Sequence, residues 1–396
     1  MKVVYVFLRD TLYHRLMAFF AACFYGFPSR RLTVIGVTGT KGKSTTVELI
    51  AHILESAGKK VAVSSSLRNT VSGMTMPGCF KLQRLLRQAI CDGCEYAVIE
   101  VTSQGVVQSR HRFIRWAVAV FLNLTPEHVE AHGGFEKYRA AKVAFFEYAA
   151  KNLPVIFIVN KDDENARYFI AAAGSHSVIS FGAEQAPSSL PGRFNGYNTG
   201  AALSVISALG IDPTIARVGA DSFGGARGRM ENIDTGGRPF SVVVDYAVTP
   251  DSLRAVYENF FGKNIIAVFG CTGGGRDTGK RPVMGRIAGE ACAAVVLTDD
   301  DSYDEDTELI MAEIEAGLIS TKDGAHSLAV GGWKLGENYW KITDRRAAIG
   351  RALSLAKNGD VVLVTGKGGD AWLRMKHGAK IPWSDQSVVR DILKSL

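Results

Sequence analysis

Val34-Ile35-Gly36-Val37-Thr38-Gly39-Thr40-Lys41-Gly42-Lys43-Ser44-Thr45-Thr46 runs from a β-branched strand through a Gly-rich turn into a helical pattern over Val47 to Ser56. Backbone N–H groups of such a turn, together with the positive end of the helix, favour an anion. Lys43 is then placed to reach terminal phosphates, and the Ser44 hydroxyl to ligate Mg²⁺. Gly39, Thr40, Lys41, Gly42, Lys43, Ser44 and Thr45 are therefore expected to hold the phosphates of a nucleotide. Strict GxxxxGK[ST] spacing asks for glycine at position 37, where Val37 stands, so the loop is a variant. A structural turn without nucleotide is the bland alternative, and the Gly-Lys-Ser triplet between strand and helix argues against it. The loop alone implies only nucleotide binding, since kinases, GTPases, motors and ligases share it.

Outward from this loop, short β-branched runs alternate with helical segments: Thr33 to Val37, Lys60 to Ser64, Tyr96 to Val101, Ala117 to Leu122 and Val155 to Val159. That alternation predicts an α/β fold whose parallel sheet is covered by helices. A second series, Phe240 to Val244, Ile265 to Phe269, Ala294 to Leu297 and Val361 to Val364, predicts a Rossmann-like C-terminal domain. Ala186 to Gly192 reads as a loop, and Gly224, Gly225 and Gly228 place a hinge near residue 225. The expected organisation is an N-terminal amphipathic helix over 1–31, a central P-loop nucleotide-binding domain over 32–225 and a Rossmann-like domain over 226–396.

Composition fits this reading. The chain has 396 residues, 47% hydrophobic and 21% charged, enough for two or three domains with sizeable cores. Its formal charge of +7 comes from separated Lys and Arg rather than one long run, which suits anionic small substrates and gives no support to a nucleic-acid partner. Six cysteines without regular spacing, and no secretory signal, point to reduced thiols in a cytoplasmic protein; the single CxxC, Cys91 and Cys94, is a weak metal signal. Val3 to Phe27 is rich in Leu, Phe, Tyr and Ala but is interrupted by Arg9, His14 and Arg15. A bilayer span needs about 20 predominantly apolar residues. An amphipathic helix is expected instead, packed on the first domain or lying on a membrane surface as a peripheral contact.

The string GTKGKSTT is similar to the GTxGK[ST]T loop of Mur ligases and folylpolyglutamate synthases, and the matches continue along the chain after residue 32. Glu100-Val101-Thr102-Ser103-Gln104-Gly105 resembles the family segment whose Glu binds Mg²⁺. One carboxylate with Ser44, phosphate oxygens and water suits that ion. Asn123-Leu124-Thr125-Pro126-Glu127-His128, His132-Gly133 and Tyr138-Arg139-Ala140-Ala141-Lys142 resemble a further series. By that match His128 is a ligand of a second Mg²⁺ and Lys142 is the lysine that takes up CO₂ as a carbamate, which exchanges a repelling ammonium for a carboxylate-like anion. Thr75, Thr102, Ser103, Gln108 and Arg110 match positions that hold the acceptor, and Asn160, Asn195 and Asn198 match ATP contacts.

In the second domain Gly228-Arg229-Met230-Glu231 and Asp245-Tyr246-Ala247-Val248-Thr249-Pro250 resemble GRME and DYAHTP, with Val248 in place of His. The resemblance gives Arg229 a phosphate and Asp245 the ribose. Thr298 to Asp306 aligns with an Asp-Asn-Pro motif that reads the incoming amino acid, with Asp301 and Ser302 as departures after Asp300. An extra carboxylate there favours a cationic side chain, unless the acidic loop is only solvated surface. Gly366-Lys367-Gly368-Gly369-Asp370 resembles GKGHE, so Gly366 and Asp370 complete the expected substrate set. The family's N-terminal UDP-binding domain is expected to be absent, since residues 1–31 alone precede the first strand. What the resemblance implies is an ATP- and Mg²⁺-dependent ligase in peptidoglycan precursor synthesis that activates a small-molecule carboxylate as an acyl phosphate and joins it to an amino acid, with ADP and phosphate as products. Polyglutamate addition to folate, or a non-catalytic nucleotide-binding partner of another protein, are the alternatives.

Overall fold

The computed structural model describes residues 2–68, 74–125, 132–151, 154–182, 190, 192–275, 277–321 and 332–396 and, for residues 2–11 and Arg193, the backbone alone. His128, Arg276 and most of the Ala186 to Gly192 loop lie outside the described residues. The chain divides into two compact units, Met1–Gly224 and Gly225–Leu396.

In the first unit six parallel strands, β1 (Thr33–Thr38), β2 (Val61–Ser64), β3 (Tyr96–Glu100), β4 (Trp116–Phe121), β5 (Ile156–Asn160) and β6 (Ser177–Phe181), lie in the order β2-β3-β1-β4-β5-β6. Near-continuous apolar runs make β1 to β5, as a sheet covered on both faces requires. The chain leaves β1 for β2, returns through β3 to one side of β1, then crosses to β4 on the other side. Open α/β sheets bind ligands beyond the carboxyl ends of their strands at such a reversal. Register carries the consequence: Val37 pairs with Glu100 and Thr38 with Phe121, so Glu100 leaves the sheet beside the glycine turn. Helix Phe135–Ala149 buries Tyr138, Lys142, Phe145, Phe146 and Ala149, the spacing of one apolar stripe, with a lysine set into it. Phe145 meets Trp116 of β4 edge to face at 5.1 Å, which anchors that stripe on the sheet.

Helix Lys43–Ser56 begins four residues earlier than its apolar pattern indicates, so Lys43 and Ser44 stand in its first turn. Gly42 precedes them with φ 83, and a Cβ built there would lie 2.4 Å from Asn198 Oδ1. Any other residue would be strained and obstructed at this point. The N-terminal helix, Lys2–Phe24, belongs to the first unit and packs on helix Cys79–Cys91. No described helix is long and apolar enough to cross a membrane.

The second unit holds β7 (Glu231–Ile233), β8 (Ser241–Asp245), β9 (Ile265–Phe269), β10 (Ala294–Leu297), β11 (Tyr339–Lys341) and β12 (Val361–Thr365) in the order β11-β10-β9-β12-β8-β7. All pairs are parallel except β7 with β8. Thr365 pairs with Asp245, so the Gly366 to Asp370 turn emerges next to Asp245. A small hairpin, β13 (Trp372–Arg374) and β14 (Lys380–Pro382), follows that turn.

Candidate active site

The glycine turn of the first unit is held from three sides. Asn123, just past β4, accepts from Thr40 N (3.1 Å) and Lys41 N (2.8 Å) through Oδ1 and donates from Nδ2 to Lys41 O (3.0 Å). Thr40 Oγ1 lies 3.1 Å from Tyr138 Oη and accepts from Thr125 N at 3.1 Å. Below the turn, Thr46 Oγ1 donates to Asn198 Oδ1 (3.1 Å), and Asn198 Nδ2 donates to Asn195 Oδ1 (2.9 Å). These bonds fix a loop whose remaining N–H groups and helix N-terminus are suited to an anion.

Two lysines converge on this turn. Lys43 Nζ donates to Gly39 O (3.0 Å) and Thr40 O (2.7 Å), and Lys142 Nζ donates to the same Gly39 carbonyl at 2.6 Å. Lys142 is 2% exposed, and its ammonium lies 4.9 Å from the centre of the Tyr138 ring, one helical turn away. Two cations on one carbonyl repel each other, and an anion set between them relieves the repulsion. Ser44 Oγ donates to Glu100 Oε1 at 3.0 Å and lies 2.8 Å from Ser66 Oγ, while Glu100 is 1% exposed. A hydroxyl and a buried carboxylate at the start of a phosphate-binding helix are hard oxygen donors of the kind Mg²⁺ takes. Among the described residues no three His, Cys, Asp or Glu side chains cluster as a metal site.

The acceptor candidates gather beside Glu100. Thr102 caps the short helix Ser103–Val107 by accepting from Gly105 N at 3.0 Å. Ser103 Oγ lies 3.0 Å from His132 Nε2, and the His132 ring stands 5.2 Å from that of Tyr138, which joins this edge to the Thr40 bonds. Arg110 donates to Met76 O and Gln108 Oε1 and approaches Met74 Sδ at 3.6 Å; partial burial lowers its pKa. Thr75 lies between Met74 and Met76, half-buried. Asn160 donates to Leu122 O at 2.7 Å and accepts from Asp162 N, which braces the ends of β4 and β5. Asn123, Ser66 and Tyr138 were not expected to shape the site. Asn123 and Tyr138 stand inside motif strings without an evident chemical role, and nothing around Ser66 marks it.

In the second unit Gly228 sits on the Gly366 to Asp370 turn: a Cβ there would lie 2.0 Å from Gly369 N. Arg229 stacks over Tyr246 at 4.3 Å, and Asp245 accepts from Met230 N at 2.8 Å. Burial raises the Asp245 pKa, with the Arg229 charge acting against it. Gly366 N donates to Asp245 O at 3.2 Å. Val248, standing for the expected His, supplies only its carbonyl, which accepts from Lys280 Nζ at 3.0 Å.

The first part of the acidic loop is not solvated surface: Thr298 to Ser302 is buried throughout, whereas Asp304 and Asp306 are exposed. Nor is Asp301 an open carboxylate for a cationic substrate. Lys367 Nζ pairs with its Oδ1 at 2.8 Å and Arg374 with its Oδ2 at 2.7 Å. Both cations also reach Asp370, at 3.3 and 2.7 Å, so two acids and two bases neutralise one another. Burial works against the Lys367 ammonium, but Asp300, Asp301 and Asp370 outweigh it and hold its pKa above the ordinary value. Asp300 makes no hydrogen bond among the described residues; burial raises its pKa. All six cysteines are free thiols, Cys91 and Cys94 included.

Comparison with known proteins agrees with both units. Residues 37–189 match the Mur ligase middle domain and residues 228–368 the Mur ligase, glutamate ligase domain. The chain is 34% identical to a UDP-N-acetylmuramyl-tripeptide synthetase of Roseiflexus sp. (strain RS-1), over 95% of this chain and 81% of that protein. It is 33% identical to the UDP-N-acetylmuramoyl-L-alanyl-D-glutamate--2,6-diaminopimelate ligase of Syntrophomonas wolfei subsp. wolfei (strain DSM 2245B / Goettingen), over 96% and 81%. A solved structure of a ligase with that same name superposes with a TM-score of 0.62 at 28% identity, covering 92% of this chain and 78% of the other. The chain belongs to the Mur ligase family of ATP-dependent amino-acid ligases.

Proposed function

We propose that this chain phosphorylates the carboxylate of a muramoyl-peptide acceptor with ATP and joins it to the amino group of an amino acid, releasing ADP and phosphate. The observation that supports this most is the convergence of Lys43 and Lys142 on the Gly39 carbonyl, with Ser44, next in the chain to Lys43, bonded to Glu100 at 3.0 Å. The turn and the first residues of helix Lys43–Ser56 hold the β- and γ-phosphates. A carboxylate oxygen of the acceptor attacks the γ-phosphorus as the bond to ADP breaks, and Lys43 offsets the charge that develops on the phosphoryl oxygens. The amine then attacks the acyl carbon, a proton leaves the nitrogen, and phosphate departs with the acceptor's oxygen. Ser44 and Glu100 would hold Mg²⁺ together with phosphate oxygens and water, and the ion would supply charge neutralisation at the phosphates.

Lys142 in this reading carries CO₂ as a carbamate. The neutral amine adds to CO₂ with loss of a proton, and the resulting anion lies beside the Lys43 ammonium where two like charges stood. Arg229 contributes a cation to phosphate and Asp245 a ribose contact. Thr75, Thr102, Ser103, Gln108 and Arg110 orient the acceptor, and Asp300, with Gly366 and Asp370 nearby, faces the incoming amino acid. The reading also includes a cytoplasmic setting and a peripheral contact of the N-terminal helix with a membrane surface.

A phosphate-release screen of amino acids against UDP-linked and UDP-free muramoyl peptides tests the ligase reading. Release that needs both an acceptor and an amino acid, with ADP as co-product, is expected. AMP and pyrophosphate, or turnover with folate and glutamate alone, would overturn it.

A further inference from the structure

The N-terminal helix is built inside out. Its inward face consists of small residues, Ala18, Ala21 and Ala22, all at 1% exposure or less, whereas Leu12, Tyr13, Leu16, Phe19, Phe20 and Phe24 are exposed, from 42% at Phe19 to 76% at Phe24. At about 100° per residue those six side chains fall within roughly 140° of the helix circumference, so they form one stripe. Helices of globular proteins present the opposite arrangement, with the large apolar residues turned to the core. The stripe extends onto helix Cys79–Cys91, where the exposed Phe80 ring lies 6.4 Å from that of Phe24. Exposed apolar surface on this scale marks a partner or a membrane.

Charge selects between them. Residues 1–31 and 79–91 together hold eight of the chain's 46 Lys and Arg and one of its 39 Asp and Glu, so the other 352 residues balance at 38 of each. The whole net charge of +7 therefore sits on the two helices that pack together at this surface and on the turn after the first. Arg15, Arg30, Arg31, Lys81, Arg84 and Arg87 are exposed, and none pairs with an acidic side chain among the described residues. Arg15 instead stands near enough to Arg112 for the two like charges to be felt. A stripe of Leu and aromatic residues rimmed by uncompensated Arg and Lys is the composition of a surface that lies at a lipid headgroup boundary, its rings among the upper acyl chains and its cations on anionic headgroups.

We propose that this face docks on an anionic lipid bilayer. The inference deepens the membrane-contact part of the proposed function and is independent of the ligase chemistry.

Co-sedimentation of the full chain with vesicles of phosphatidylcholine alone and of phosphatidylcholine with phosphatidylglycerol tests this. Binding to the anionic vesicles is expected, weakened at high salt as screening shortens the reach of the cations. The double variant Phe20→Ser/Phe24→Ser and the triple variant Lys81→Gln/Arg84→Gln/Arg87→Gln should each lower the vesicle affinity at least tenfold. Both should retain the wild-type circular dichroism and the wild-type rate of ATP turnover in solution. Equal binding to both vesicle types would keep a membrane contact but overturn the anionic preference. Absence of vesicle binding, with light scattering showing a dimer dispersed by the Phe variants, would assign the face to a second copy and overturn the proposal. Capture of duplex DNA or RNA in preference to vesicles would overturn it as well.

Discussion

Both units of the chain bury lysine next to carboxylates at the carboxyl end of a parallel sheet, yet the two clusters are arranged differently. In the first unit Lys43 and Lys142 share a carbonyl oxygen, and Glu100 is bound through a serine hydroxyl rather than through a cation. In the second, Lys367 and Arg374 are matched by Asp301 and Asp370 at 2.7 to 3.3 Å. In the proposed function the first arrangement takes up a phosphate and a metal ion. The second is complete in itself, and its effect is to fix the loop that carries Asp300. On the proposed function, similar residues serve binding in one place and architecture in the other.

Substitutions should separate these roles. Lys43→Ala is expected to lower kcat about a thousandfold while leaving thermal unfolding of the protein unchanged within error; a large fall in stability with little loss of rate would erase the distinction. Lys367→Met should do the reverse, costing about 3 kcal/mol of stability in chemical denaturation because it leaves buried carboxylates short of a cation. An unchanged unfolding midpoint would show that the network is not structural. Glu100→Gln sits between them, with an expected ten- to hundredfold weaker dependence on Mg²⁺, read from the rate against metal concentration, and no change in fold.

The smallest effects concern pH, and they carry opposite signs in the two units. His111 is buried beside Arg112, and burial, with the Arg112 charge behind it, lowers its pKa to about 3. A neutral histidine in the folded state contributes stability above the ordinary value near 6.5, which is lost as pH falls from there toward 3, by at most about 1.4 kcal/mol per pH unit. Asp245 and Asp300 are held above the usual carboxylate pKa by burial. Their contribution is therefore present at low pH and lost as pH rises through the raised values. His111→Phe should flatten the acid limb of a stability-against-pH curve, and Asp300→Asn should raise stability at neutral pH; neither change would mean that these groups titrate alike in the folded and unfolded chain.

Much of this was legible in the sequence because it is local. The β-branched runs give the inner strands to within a residue, and the glycine turn lies between β1 and helix Lys43–Ser56 as the motif predicts. β6 escaped because Ser177 and Ser180 break its apolar run at a half-exposed sheet edge. β7 escaped because it is short and antiparallel to the rest. The ion network was illegible for a different reason: Asp301 and Arg374 are 73 residues apart, and only the fold of the β13 and β14 hairpin brings them together. Read as an isolated acidic run, Thr298 to Asp306 suggests either a receptor for a cation or a solvated loop; in the fold Thr298 to Ser302 is buried with Asp301 paired to Lys367 and Arg374, and Asp304 and Asp306 are exposed. Asn123 belongs with these, since a turn motif does not show which distant side chain will close it.

The central claim is that a carboxylate is activated by phosphoryl transfer at the Gly39 to Thr45 turn. Supplying the acceptor with ¹⁸O in its carboxylate and following the label through one turnover tests it most directly. The account predicts one ¹⁸O atom in the released phosphate, with Lys43→Ala slowing its appearance in step with ADP. Label in AMP, or in neither product, would contradict it.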